Sequence, residues 1–253
     1  MSYSRWRSTA IAAATGIVTT RPRTTASDPE HRSILAVDIQ GYGQSERTNP
    51  IRVQLRHRLT QLCRGLLEQA GVSVTDYAVA DTGDGLLFSI GSAIPKTRLR
   101  DPFIPRLASR LTATNNRKPA AQQLRLRVAL HAGDVLADPD PLHGDAVIVC
   151  ARLLETGTLR ACLQATTAPL ALIVSPVIYH EIVKHGYRRI QPETYHQVSF
   201  NLKELRTNAW VHVPGDPTAP QRLDNSSVRH LVAPVRDIPV LPEVGSRTAS
   251  GQQ

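Results

Sequence analysis

Short apolar runs alternate with helical stripes along this chain. Ile34 to Asp38 is an unbroken apolar run closed by a carboxylate, the pattern of a central strand. Asn49-Pro50 sets a cap residue before a proline suited to the first helical position. Ile51, Leu55, Leu59, Leu62, Cys63 and Leu66 then recur at helical spacing, and Gly71 supplies the stop. Tyr77 to Thr82 and Gly85 to Ile90 predict two strands. Asp101-Pro102 predicts the start of a second helix, with Ile104, Leu107 and Leu111 on one side. Leu124 to Leu130 alternates and predicts a strand. Ala146 to Leu154 reads as a helix, Leu170 to Val174 as a strand and Val177 to His185 as a helix. Tyr195 to Leu202 and Ala209 to Val213 finish as strands, paired through a turn near Thr207-Asn208. The core order of strand, helix, two strands, helix and strand predicts an α+β fold. It is a ferredoxin-like βαββαβ sandwich, a sheet with helices on one face.

The flanks lose this periodicity. Residues 1–32, rich in Ser, Thr, Arg and Ala, read as a disordered basic arm, and residues 215–253 as a disordered tail. The ordered domain is then 33–214. Arg5 and Arg7 before the apolar Ala10 to Val18 also resemble an export signal. No small-residue cleavage site follows, and Arg21 and Arg23 come at once, which favours the arm. No stretch reaches the roughly 18–20 apolar residues of a membrane span. The three cysteines, Cys63, Cys150 and Cys162, are odd in number and lack a CxxC pair. They read as buried thiols of a reducing compartment, and the expected location is cytoplasmic.

Composition changes the picture in one respect. The 253 residues carry a formal charge of +9, from 26 arginines and only four lysines. Such a balance can favour nucleic acid, an anionic membrane or phosphorylated ligands. The arginines are scattered, with no block of like charge, so an ordinary solvated surface is the plainer reading and nucleic acid is not the expected partner.

Two carboxylates carry the candidate chemistry. Asp38 alone reads as the start of a loop, and Asp84, in Thr82-Gly83-Asp84-Gly85, as a hairpin turn. On neighbouring strands they would lie at one edge of the sheet. Mg²⁺ is commonly held by one or two carboxylates plus substrate phosphates. Two ions roughly 3.5–4 Å apart could activate an attacking hydroxyl and neutralise a leaving pyrophosphate.

Four segments, in this order, resemble the class III nucleotidyl cyclases. They are Asp38-Ile39-Gln40-Gly41-Tyr42, Gly83-Asp84-Gly85, Leu126 to Gly133, and Gly144-Asp145-Ala146-Val147 running to Ala151-Arg152-Leu153. The resemblance implies that Asp38, Asp84 and the main-chain carbonyl of Ile39 hold two Mg²⁺ or Mn²⁺ ions. It implies that Gly41 and Tyr42 begin a phosphate-contacting loop. Arg152 then matches the arginine that offsets charge on the transferred phosphoryl group, and Lys203, in Phe200-Asn201-Leu202-Lys203, the lysine that contacts the triphosphate. A guanidinium suits that task because it is always charged and grips phosphate oxygens through a planar fork. Otherwise Arg152 reads as an exposed helix residue beside Glu155, and Lys203 as a solvated strand end. His131 reads as a satisfied residue of a His-x-Gly turn. Because the family's metal pair and arginine come from different subunits, the resemblance also implies a head-to-tail homodimer acting on a nucleoside triphosphate.

The chain departs from the family at its substrate-reading positions. Ile148 stands where an asparagine orients the ribose. Ala80 stands where a lysine or glutamate reads the base, and the second base-reading position falls near Pro141, beside Asp138 and Asp140. These departures remove the usual grounds for choosing among ATP, GTP, CTP and UTP. They leave two readings: a cyclase making a 3′,5′-cyclic nucleotide and pyrophosphate, and a non-catalytic nucleotide-sensing or partner-binding module. His180 and His185 evoke a zinc helix, but a spacing of five turns them about 140° apart on a 3.6-residue helix. Neither a GxxxxGK[ST] loop, a GxGxxG fingerprint nor a GxSxG elbow occurs.

Overall fold

The computed structural model describes residues 28–136, 142–202 and 205–223. Among the described residues seven strands form one sheet in the order β2-β3-β1-β4-β5-β7-β6. They are β1 (Pro29–Ile39), β2 (Tyr77–Asp81), β3 (Gly85–Gly91), β4 (Leu126–Leu136), β5 (Leu170–Val174), β6 (His196–Leu202) and β7 (Leu205–His212). The helices are α1 (Asn49–Gln69), α2 (Ile104–Asn115), α3 (Asp145–Leu154), α4 (Gly157–Gln164) and the short α5 (Pro176–Ile178). The first four strands in the order β2-β3-β1-β4, all antiparallel, are the ferredoxin-like core. β5 joins parallel to β4, and the β6–β7 hairpin closes the far edge.

Helices cover both faces of the sheet, not one. Leu35, Val37 and Ile39 of β1 face a core with Leu55, Leu59 and Cys63 of α1 and Ile104, Leu107 and Leu111 of α2. Ile34 and Ala36 face a second core with Ala146, Cys150 and Leu153 of α3 and Leu159, Cys162 and Leu163 of α4. The physical reason lies in β1 and β5, whose apolar residues run unbroken and are buried on both sides. The parallel β4–β5 pair also demands a crossover connection, which α3 and α4 provide.

Several local expectations shift. β1 begins at Pro29, inside the segment expected to be an arm, and a short 3₁₀ turn at Ala219–Arg222 lies past residue 214. Asp101-Pro102 does not open α2. Asp101 is extended (φ −137°, ψ 115°), as proline disfavours helix in the residue before it, and the helix starts at Ile104. Val177 to His185 splits into α5 and a π turn, Tyr179–Val183, in which the Lys184 amide donates to the Tyr179 carbonyl at 2.8 Å. Thr207 and Asn208 lie within β7 opposite Phe200 and Ser199, so the strands do not turn there. His131 is not in a turn either: β4 continues through it to Leu136. All three cysteines are free and buried.

Candidate active site

The site is built where β1 ends. Asp38 stands opposite Gly85 of β3 and opposite Arg127 of β4, and the Ile39 amide donates to the Asp84 carbonyl at 3.0 Å. The register thus puts Asp38, the Ile39 carbonyl and Asp84 at one edge. Gly85 permits the close approach: a Cβ there would lie 2.2 Å from the Val37 carbonyl oxygen and 3.1 Å from the Asp38 Cα. The turn before it is held from two sides. Asp81 accepts the Gly83 amide at 2.8 Å, and Gly83 takes φ 90°, which a residue without Cβ adopts freely. Arg56 of α1 pairs with the Asp81 carboxylate and donates to the Gly85 carbonyl at 2.7 Å.

Asp38 is nearly enclosed, with 12% of its side chain exposed against 11% for Arg127. Arg127 grips it with both prongs, Nε to Oδ1 at 3.1 Å and Nη2 to Oδ2 at 2.6 Å. Burial pushes the Asp38 carboxyl above the usual carboxylate range. The Arg127 charge and hydrogen bonds oppose this, the Asp84 charge adds to it, and Arg160 of α4 opposes it. Asp84 and Arg160 therefore both lie within electrostatic reach of Asp38. Among the described residues, the Asp84 carboxylate has no hydrogen-bond or ion-pair partner, and the Arg127 Nη1 is buried without one.

Gly41 and Tyr42 follow directly, in a compact loop. Gly41 has φ 69°, and the Tyr42 amide donates to the Ile39 carbonyl at 3.3 Å. Buried Arg47 pins this loop by donating to the carbonyls of Gln40 at 2.9 Å and Gln123 at 3.1 Å. Ala80 of β2 stands opposite Leu87, which stands opposite Ala36, so it shares Asp38's face of the sheet. Ile148, 44% exposed, and Arg152 lie one turn apart on α3, away from its buried residues Ala146, Cys150 and Leu153. No hydrogen bond or ion pair joins Arg152 to Asp38, Asp84 or any other described residue of the chain. Asp138, Asp140, Pro141 and Lys203 lie outside the described residues.

His131 is a core residue. Its Nδ1 lies 2.8 Å from the Ser175 hydroxyl, and burial, with His31 nearby, pushes its pKa down to about 4. Arg127 and Arg56 carry roles that sequence reasoning did not assign. For Arg127 the sequence carried no signal, because alternation reads it as a polar, solvent-facing position. It alternates with Ala129 on β4, and that side is covered by α3 and α4 rather than open to water.

The donor set suits a hard divalent cation, because it offers only carboxylate and carbonyl oxygens and the buried Asp38 charge already draws a cation in Arg127. It is an open set. Among the described residues no group of three or more His, Cys, Asp or Glu side chains could hold a metal. Further ligands would have to come from outside the chain, as substrate phosphates do for Mg²⁺. Among the described residues no helix is long and apolar enough to cross a membrane.

No protein-family profile matches the chain. Over 137 residues, 53% of its length, it is 31% identical to a Rhizobium meliloti (strain 1021) protein provisionally named adenylate cyclase 3. The match spans only 20% of that protein. Among solved structures the chain resembles an adenylate/guanylate cyclase/hydrolase from Silicibacter pomeroyi, at 22% identity and TM-score 0.53, over 75% of this chain and 99% of that one. It also resembles a bacterial light-regulated adenylyl cyclase, at 15% identity and TM-score 0.50, over 80% of this chain and 98% of that one. With its β2-β3-β1-β4 core and these structural neighbours, this chain has the class III nucleotidyl cyclase-like fold.

Proposed function

We propose that this chain is a nucleotidyl cyclase converting a nucleoside triphosphate into a 3′,5′-cyclic nucleotide and pyrophosphate. The observation that carries the reading is the meeting of Asp38, Asp84 and the Ile39 carbonyl at one edge of a cyclase-like sheet. These three groups would hold two Mg²⁺ or Mn²⁺ ions. When bound, such ions lower the pKa of the ribose 3′-hydroxyl and offset phosphate charge. The hydroxyl would give its proton to solvent water and attack the α-phosphorus in line. The new O3′–P bond forms as the α–β phosphoanhydride bond breaks and pyrophosphate leaves. Asp38 and Asp84 orient the reacting end, with the hairpin steadied by Arg56. The loop from Gly41 and Tyr42 would contact phosphates.

Arg152 would offset charge on the transferred group, with Lys203 on the triphosphate. Arg152 has no partner among the described residues of its own chain, which supports its acting across a head-to-tail homodimer on the Asp38 of a second copy. Ile148 and Ala80 offer no polar side chain to the ribose or base, so Asp140 or main-chain groups would have to read them. That same observation favours a second reading, a domain that binds nucleotide or a protein partner without turnover.

The test is incubation with ATP, GTP, CTP and UTP separately, with Mg²⁺ or Mn²⁺, and detection of cyclic nucleotides by mass spectrometry. Asp38→Ala and Arg152→Ala run alongside. A cyclic product lost in both variants supports the cyclase and names its base. Metal-dependent nucleotide binding by a dimer, with no product from any of the four, favours the sensing module.

A further inference from the structure

The grip of Arg127 on Asp38 has consequences for how a cation could bind. A carboxylate offers about four lone-pair sites, and Arg127 takes one on each oxygen. The two residues stand directly opposite each other across β1 and β4, and both are almost enclosed. Arg127 therefore has little room to swing away. A divalent cation at Asp38 must either share the carboxylate with a guanidinium or displace it.

We propose that Arg127 is a positioning residue, an internal counter-cation that competes with divalent metal for Asp38 and keeps the empty site from binding metal tightly. This rests on the metal-holding role given to Asp38 above. Without Arg127, Asp38 would be a buried carboxylate beside a second carboxylate, Asp84, and would recruit any available cation. With it, the edge carries less negative charge, and a lone metal ion gains less by entering. The Nη1 of Arg127 is buried without a partner, so the guanidinium has no competing acceptor to draw it away from Asp38.

The test is Mn²⁺ binding to the full chain at pH 8 without nucleotide, read by electron paramagnetic resonance of the free ion. Wild type is compared with Arg127→Gln, Arg127→Lys and Asp38→Asn, with circular dichroism to verify folding. Arg127→Met replaces the glutamine variant if that one does not fold. Removing a unit charge beside a divalent ion should tighten Mn²⁺ by about tenfold or more in Arg127→Gln. Arg127→Lys keeps the charge and should stay within about threefold of wild type by the same reasoning. Equal or weaker binding in Arg127→Gln, with Asp38→Asn abolishing it, overturns the competition but leaves the metal site standing. Absence of Asp38-dependent binding in both wild type and Arg127→Gln overturns the metal site and this inference together.

Discussion

Gly85→Ala tests the site's geometry through a single methyl group. The added Cβ would sit 2.2 Å from the Val37 carbonyl oxygen, a main-chain atom of a central strand that cannot turn aside. Carbon–oxygen contacts settle near about 3.3 Å, so β3 must retreat from β1 by roughly 1 Å. That would stretch the 3.0 Å bond from the Ile39 amide to the Asp84 carbonyl past a useful length. A lost hydrogen bond costs about 1 kcal/mol and overpacking about 1–3 kcal/mol, so the sum is about 2–4 kcal/mol. For a domain of this size that corresponds to a Tm lower by roughly 5–15 °C. Gly43→Ala is the control, because nothing lies within 4 Å of a Cβ there. It should stay within about 0.5 kcal/mol of wild type. The assay is urea unfolding with a thermal melt. If the chain is a cyclase, turnover in Gly85→Ala should fall by about 100-fold, since a displacement near 1 Å at reacting groups has that effect. A Gly85→Ala protein that melts with Gly43→Ala would refute the claim that β3 and β1 touch here with no room for a side chain.

Acid should destabilise the fold through two buried histidines. His131 and His212 are each pushed down to about 4 by burial, below the unfolded value of 6.5. The stability they contribute is therefore complete above the unfolded value and lost as pH falls through the folded one. At pH 5 this loss is about 2 kcal/mol per histidine. His131→Gln should flatten its share of the urea-midpoint profile between pH 7.5 and 5, and an unchanged slope would refute its burial as a neutral ring. Arg56→Ala removes both the Asp81 pair and the bond to the Gly85 carbonyl. It should cost about 1–3 kcal/mol in urea unfolding and also weaken Mn²⁺ binding, because the turn carrying Asp84 loses its brace. Arg125 donates to the carbonyls of Leu163, Thr166 and Ala168, tying the end of α4 to β4. Arg125→Met should cost about 2–4 kcal/mol, and hydrogen exchange should rise first in 163–168.

How much of this was legible in the sequence follows from which forces act locally. Leu170 to Val174 reads as a strand because five apolar residues in a row have no polar face to lose, and the structure keeps those bounds. α1 is legible from its stripe and its proline. α4 is not, since Gly157 opens it and its apolar positions Leu159, Cys162 and Leu163 are too few to show a period. The second layer of helices follows from β1 being buried on both faces, which shows in the sequence only as an unbroken run. Asp38 and Asp84 could be paired from the turn between β2 and β3 and from the resemblance. Arg127 could not, because alternation assigned it to the polar side of a strand while the fold covers that side.

The arginine excess has the same origin. Among the described residues eight arginines donate to main-chain carbonyls, mostly at loops and helix ends: Arg47, Arg52, Arg56, Arg58, Arg98, Arg106, Arg125 and Arg222. A carbonyl left bare where a loop packs down is costly, and a planar fork with five donors can satisfy two or three at once. Lysine, with a single nitrogen on a flexible stem, cannot bridge Gln40 to Gln123 as Arg47 does. A net charge of +9 therefore arises here in good part from residues whose guanidinium groups serve the fold's own carbonyls. Arg127 is that same device turned on a carboxylate. Arg56 and Arg222 also pair with the exposed or half-exposed carboxylates of Asp81 and Asp216, whereas Arg127 grips a nearly enclosed one whose partner must be shared if a metal is to bind.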